Sequence, residues 1–141
     1  MLKITKGLKP VEKEGIMTYT DARGDDYVRV KVGREDFCIA AHDYVEDDKD
    51  AFKWNHVMTL LEAEDLELPT KQQVEIYKEH IDDINDRLED IGGDALSNDW
   101  YWTTTKEDAN YVWAYMGDNC HFNIFPKNSL FFKVRTVINL Q

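Results

Sequence analysis

The sequence is short of three features that would place it in a protein class: cysteines, long apolar runs and clustered positive charge. Its two cysteines, Cys38 and Cys120, stand in no CxxC motif, so zinc and thioredoxin-like sites are not supported. Both lie in apolar, strand-like stretches, which predicts buried free thiols, and a disulfide would need an oxidising compartment. No apolar run approaches the ~20 residues that cross a bilayer, so we expect no membrane insertion.

Basic residues are outnumbered by acidic ones. There are 17 Lys and Arg against 28 Asp and Glu, a net charge of −11. The excess lies in residues 43–90, which hold sixteen acidic and five basic side chains. Binding to phosphates needs clustered Lys and Arg, so we expect neither nucleic acid nor an anionic membrane surface as a partner. The acidic segment is typical of a solvated helical face, and a docking surface for a basic partner is the alternative.

The N-terminal stretch MLKITKGLKPVEKEG carries charge but no apolar h-region, so it does not predict a signal peptide. As sequenced, the chain is therefore expected in the cytoplasm, or on a virion if it is phage-encoded. Hydrophobic residues make up 43% and aromatic residues 12%, which favours a folded core over disorder. We predict one domain over residues 1–141, with the first ~25 residues forming an extra strand or an arm.

Periodicity in the first two thirds predicts strands followed by helices. Residues 27–32 alternate and residues 37–42 are continuously apolar, which predicts a β-hairpin. Helical spacing from Asp50, a fair N-cap, predicts a first helix that Pro69 ends. Thr70 and Gln73 form a capping box that starts a second helix, with an apolar stripe reaching residue 91.

The last third changes to short, aromatic-rich strands separated by turn residues. The segments WYWTTT, NYVWAYM, CHFNIF and LFFKVRTVI predict an antiparallel meander, with Tyr111, Trp113 and Tyr115 on one face of its second strand. Strands, then two helices, then strands is an α+β order rather than alternating βαβ. The aromatic residues are expected mainly in the core, with a few facing outward to stack on a ligand such as a sugar.

No complete catalytic or metal-binding motif appears. The histidines, His42, His56, His80 and His121, form no HExxH, and the serines lie in no GxSxG elbow. The acidic loop that begins at Asp43 fails the EF-hand pattern at its sixth and twelfth positions. There is no glycine-rich phosphate loop. The sequence therefore predicts no metal, no cofactor and no catalytic residues, although a fold can still assemble a His–carboxylate pair.

Several short elements, in order, resemble a known family. A helix that carries Trp54 is followed by LELPTK, YWTTT, the hairpin YVWAYMGDNCHFN and a closing FKVRTVI. This order resembles the bacterial C-type-lectin-like domains of the Lcl C-terminal and Fibrobacter-major-paralogous kind, over roughly residues 50–138. The matching positions are Leu68, Pro69, Thr70, Lys71, Tyr101, Trp102, Thr103, Thr104, Trp113, Gly117, Val134, Arg135 and Val137.

The resemblance implies a C-type-lectin-like fold, with two helices on a twisted antiparallel meander, and a binding role. The matching residues suit a scaffold, and Arg135 is a candidate to tie its strand to a carboxylate. The chain departs from the family at Glu67, Gln73 and Ile138, and it lacks the calcium-binding motifs of animal lectins. Calcium-dependent sugar binding is therefore not implied. Phage tail-tip receptor binders share this broad fold, which keeps a phage or prophage origin open.

Three functions are compatible with these observations. The first is a non-catalytic module that presents loops to a glycan or protein ligand. The second is a small hydrolase that uses His121 or His42 with a loop carboxylate. The third is an accessory protein that docks through its acidic helical face. For the first, the predicted ligand-binding residues are polar ones in the loops and hairpin: Asp108, Asn110, Asp118, Asn119, His121 and Asn123.

Overall fold

The computed structural model describes residues 14–140, which form two antiparallel sheets and three helices. The α+β class is therefore confirmed. The strands are β1 (Gly15–Thr20), β2 (Asp26–Val32), β3 (Glu35–Ile39), β4 (Trp100–Lys106), β5 (Tyr111–Met116), β6 (Phe122–Pro126) and β7 (Val137–Asn139). The helices are α1 (Trp54–Ala63), α2 (Lys71–Glu79) and α3 (Ile81–Asp90). No helix in the described part of the chain is long and apolar enough to cross a membrane.

The first sheet has the order β1-β2-β3-β7. Its centre is the predicted hairpin, in which β2 and β3 pair antiparallel around a turn that contains Gly33 at φ 59°. Val28 and Val30 point from β2 into the core, as the alternation predicts. Within the N-terminal segment predicted to add a strand or an arm, residues 14–25 contain β1, and residues 1–13 lie outside the described range.

The first helix begins at Trp54, so the predicted N-cap at Asp50 is wrong. The cause is a tertiary contact: Phe52 forms a two-way backbone bridge with Phe132, at 2.8 and 3.0 Å. This bridge holds the chain extended at the residues where helical spacing alone would have started a turn. The N-cap position falls to Lys53, whose backbone is extended.

The capping box at the start of α2 is confirmed. Thr70 Oγ1 accepts from the Gln73 amide, and Gln73 Oε1 accepts from the Thr70 amide, both at 3.0 Å. The prediction of one long helix to residue 91 is wrong, because the chain leaves helical geometry at His80 (φ −131°). Because of the break, the two halves of the apolar stripe pack against different sheets. Helix α2 contacts β4 and β5, whereas α3 contacts β1 and β2.

The second sheet has the order β4-β5-β6, which confirms the first three strands of the predicted meander. The predicted fourth strand is wrong. Residues 132 and 133 make only isolated bridges to Phe52 and Tyr101, and the chain then crosses to pair β7 with β3. The cause is again tertiary, because the crossing segment carries the buried Arg135 to a partner beyond β3.

Buried apolar side chains form two clusters, one on each face of the second sheet. The first joins the β1–β3 strands to α2 and α3 and includes Tyr77, Tyr101 and Tyr115. The second lies between α1 and the opposite face of β4–β5, around Trp102. Both cysteines are buried and free, as predicted. The second sheet therefore has a core cluster on each face, and its aromatic residues Tyr101, Trp102 and Tyr115 are fully buried.

Gly117, one of the positions in the lectin-like pattern, has no room for a side chain. A Cβ there would lie 2.3 Å from the Ser97 carbonyl oxygen and 2.6 Å from a Tyr101 ring carbon. Gly117→Ala is expected to lower the free energy of unfolding by about 1–3 kcal/mol, because backbone must move to admit the methyl group. Urea denaturation followed by tryptophan fluorescence measures this loss. Ser129→Ala, at an exposed loop position, is the control, and equal stability of the two variants would contradict the steric argument.

Candidate functional site

The predicted ligand-binding residues fall into separate groups along the second sheet. Asp108 and Asn110 lie in the β4–β5 turn, whereas Asp118, Asn119 and His121 lie in the β5–β6 turn. These turns are at opposite ends of β5, about 17 Å apart at the usual rise of a strand. Asn123 lies in β6 opposite Ala114. All six are exposed, but no single small ligand can contact both turns.

Three of these six side chains already shape the local backbone. Asp108 Oδ1 accepts from the amides of Asn110 and Tyr111, at 2.8 and 3.0 Å. Asn119 Oδ1 accepts from the His121 amide at 2.8 Å, which is an Asx-type turn. Asn123 Oδ1 accepts from the Ile124 amide at 2.8 Å. Local hydrogen bonds to the backbone therefore explain the presence of these three residues without a ligand.

Between the two turns, β5 and β6 present a pair of aromatic rings that are only partly covered. Trp113 and Phe122 are half-buried, and their rings meet nearly edge to face, with centroids 6.2 Å apart and planes at 87°. The register pairs Trp113 with Ile124 and Phe122 with Tyr115, which places all four on one face of the sheet. We call Trp113 and Phe122 the aromatic corner.

A lysine lies against the aromatic corner. Lys71 Nζ is 4.6 Å from the centroid of the Trp113 ring and 4.8 Å from that of Phe122, both within cation–π range. The indole N–H of Trp113 donates to Glu107 Oε1 at 3.1 Å, which fixes the plane of the ring. Glu75 Oε1 lies 3.9 Å from Lys71 Nζ. The corner is thus an aromatic surface with one cation and two carboxylates around it.

The sequence does not predict that Trp113, Phe122 and Lys71 lie together. Strand alternation places Tyr111, Trp113 and Tyr115 on one face, but it does not show that α2 covers Tyr115 fully and leaves Trp113 half exposed. In the sequence, Lys71 is noted only as a position of the lectin-like LPTK element, beside the capping residue Thr70. A contact between residues so distant in the chain follows from the docking of α2 on β5.

A second polar cluster surrounds Arg135 at the junction of the two sheets. Arg135 is 0% exposed, and its Nε donates to Asp43 Oδ1 at 2.9 Å. Its Nη1 donates to the carbonyls of Ala40, Ala41 and Asp94, at 3.1, 3.3 and 2.8 Å. The hypothesis that Arg135 bonds to a carboxylate is confirmed, but the residue lies in the segment before β7 and not in a strand. Tyr101 Oη also donates to Asp43, at 3.0 Å. The cluster therefore fastens three chain segments together.

The groups that a hydrolase would use are poorly placed for catalysis. His42 Nδ1 lies 2.8 Å from Asp94 Oδ2, and this hydrogen bond lowers the pKa of Asp94, but the two side chains are 63% and 71% exposed. Burial raises the pKa of the Cys38 thiol to about 11 and that of Cys120 to about 12, which suppresses both thiolates. Ser97 Oγ bonds to Asp99 Oδ2 at 2.9 Å and lies 3.1 Å from Tyr101 Oη, so its hydrogen-bond partners are a carboxylate and a phenol.

The acidic helical face is solvated along α3. Its outward carboxylates are exposed and belong to Asp82, Asp83, Asp86, Glu89 and Asp90. Asp83 pairs with Arg87 at 3.3 Å, an i,i+4 contact on the helix surface. Across residues 14–140, no three His, Cys, Asp or Glu side chains are arranged to hold a metal ion.

The chain was compared with protein-family models and with curated proteins, and neither comparison finds a match.

Proposed function

We propose that this protein is a non-catalytic binding module that presents the aromatic corner and its flanking turns to a glycan or protein ligand. The observation that carries the proposal is that Trp113 is only partly buried. Two aromatic residues on its side of the sheet, Tyr101 and Tyr115, are 0% exposed and serve the core. Trp113 is instead only partly buried, and its indole N–H bonds to Glu107 while Lys71 Nζ lies 4.6 Å from its ring centroid. Its flat apolar face can therefore meet a ligand once Lys71 moves aside.

The arrangement of the two turns supports an elongated ligand. They stand at either end of β5, with Trp113 near the middle of the strand. A chain of several sugars, or an extended peptide, is long enough to lie on Trp113 and reach polar groups at both ends. Asp108 and Asn110 would serve one end, and Asp118, Asn119 and His121 the other. Asn123 shares its register face with Ala114 rather than Trp113, so its role would be at the strand edge.

The scaffold we propose is C-type-lectin-like. Two features of the resemblance have clear structural roles: the capping box in the LPT element, and Arg135 in the closing element, which joins the sheets through Asp43. This chain has two further features of its scaffold: the helix break at His80 and the pairing of β7 in the first sheet. A receptor-binding role on a phage particle is one setting that suits such a scaffold.

The geometry favours binding over the two alternatives. The hydrolase alternative uses His42 or His121 with a carboxylate, and the His42–Asp94 pair lies on the surface with side chains 63% and 71% exposed. Burial also suppresses the thiolates of Cys38 and Cys120. The acidic side chains of α3 are exposed to solvent, and solubility is enough to explain their charge. The aromatic corner, by contrast, leaves two large apolar rings partly in contact with solvent.

Trp113→Leu is expected to weaken ligand binding at least tenfold, because leucine keeps apolar bulk but removes the flat ring that stacks on the ligand. Binding is measured on a glycan array and a peptide array that are probed with the folded proteins. Phe131→Leu is the matched control. Phe131 is 61% exposed and has Lys53 Nζ 5.4 Å from its ring centroid, so it resembles Trp113 but lies outside the corner.

Wild type and Phe131→Leu should retain the same glycans or peptides, and Trp113→Leu should lose them. Circular dichroism and thermal unfolding check that all three proteins are folded. Ligands retained equally by Trp113→Leu would overturn the choice of site. Folded wild-type protein that captures nothing on either array would count against the binding function itself.

A further inference from the structure

We propose that the aromatic corner is a cation site that takes a lysine side chain of a basic protein partner, in competition with the protein's own Lys71. This inference rests on the proposed binding function and narrows its ligand from glycan or protein to a positively charged protein segment. It depends on the ring geometry, on the position of Lys71 and on the charges around the corner.

The rings already hold an ammonium group. Lys71 Nζ lies within 5 Å of both ring centroids, and the planes of Trp113 and Phe122 are almost perpendicular. Two ring faces directed at one cation make the arrangement found in aromatic sites for ammonium ligands. The distances show that the corner fits an ammonium on a flexible aliphatic stem, which is the chemistry of a lysine side chain.

The Lys71 side chain is placed so that it can rotate away from the two aromatic rings. It is the first residue of α2, where the helix dipole disfavours a positive charge. Its Nζ lies 3.9 Å from Glu75 Oε1, at the i+4 position, and Glu75 is more than half exposed. A rotation of the Lys71 stem toward Glu75 would keep its charge paired and uncover both rings. A second ammonium can then take its place on the rings.

The surrounding charge selects a cation over an anion. Glu107 accepts the Trp113 indole N–H, so a carboxylate lies at the edge of the same ring. Glu75 adds a second carboxylate beside the corner. The net charge of −11 attracts basic partners and repels acidic sugars or acidic peptides.

The test measures binding of a fluorescein-labelled octalysine peptide by fluorescence anisotropy at fixed ionic strength. Lys71→Met keeps the aliphatic stem and removes the competing charge, so it should tighten octalysine binding about threefold to tenfold. Lys53→Met is the matched control, because it removes one positive charge from another lysine–aromatic contact. It should produce only the small gain that a change in net charge gives.

The double variant Lys71→Met/Trp113→Leu should lose the gain and fall to or below the wild-type affinity. An octaglutamate peptide should bind none of the variants. Equal gains from Lys71→Met and Lys53→Met, or a gain that survives Trp113→Leu, would show general electrostatic attraction and overturn the cation site. Array ligands that still depend on Trp113 in that case would leave the proposed binding function standing.

Discussion

Replacing Arg135 with methionine is expected to lower the free energy of unfolding by about 3–5 kcal/mol. The side chain is fully buried and bonds to Asp43 and to three backbone carbonyls. Methionine fills part of the space, but it leaves the Asp43 carboxylate and those carbonyls without their main donor. Urea denaturation monitored by tryptophan fluorescence gives the loss directly.

Two further variants separate the buried pair from charge in general. Arg87→Met removes a half-exposed arginine that pairs with Asp83 at 3.3 Å, and it should cost less than about 1 kcal/mol. The double variant Arg135→Met/Asp43→Leu removes both charges, so it should be less destabilised than the sum of the single variants. Stability of Arg135→Met within about 1 kcal/mol of wild type would contradict the proposed role of the cluster.

Hydrophobic alternation and turn residues predicted the elements that are held together by contacts between residues close in sequence. The β2–β3 and β5–β6 hairpins follow from alternation and short turns, and the capping box follows from Thr70 and Gln73. Three predictions failed where a distant segment decided the outcome. Phe132 bridges to Phe52 just before α1. The predicted long helix breaks at His80, where α2 packs on the second sheet and α3 on the first. Arg135 bonds to Asp43 beyond β3, and the chain leaves the second sheet there. Propensity and periodicity do not contain these contacts.

The candidate site shows the same limit. The polar turn residues could be found from composition, and the structure places them around β5, but several of them hold the turns in shape. Trp113 and Tyr115 share a strand face and a residue class, so the sequence does not show which of them meets solvent. The helix that buries Tyr115 also brings Lys71 to Trp113. The site is therefore a product of the docking of α2, which only the fold reveals.

Trp102→Ala is expected to cost about 3–5 kcal/mol of unfolding free energy, a loss comparable to that of Arg135→Met. Trp102 is 0% exposed at the centre of the second cluster, and its ring centroid lies 4.6 Å from that of Phe132. Its indole N–H donates to the Phe52 carbonyl at 2.7 Å, beside the bridge that delays the start of α1. Alanine removes both the apolar volume and this hydrogen bond.

Trp102→Phe divides the two contributions, because phenylalanine keeps most of the ring volume and loses the indole donor. It should recover more than half of the stability lost in Trp102→Ala, since cavity formation is the larger cost. Trp113→Ala is the surface comparison: its ring is half exposed, so it should cost clearly less than Trp102→Ala in the same urea titration. A Trp113→Ala loss as large as that of Trp102→Ala would mean that Trp113 serves the core. In that case the Trp113 ring would not be free to contact a ligand.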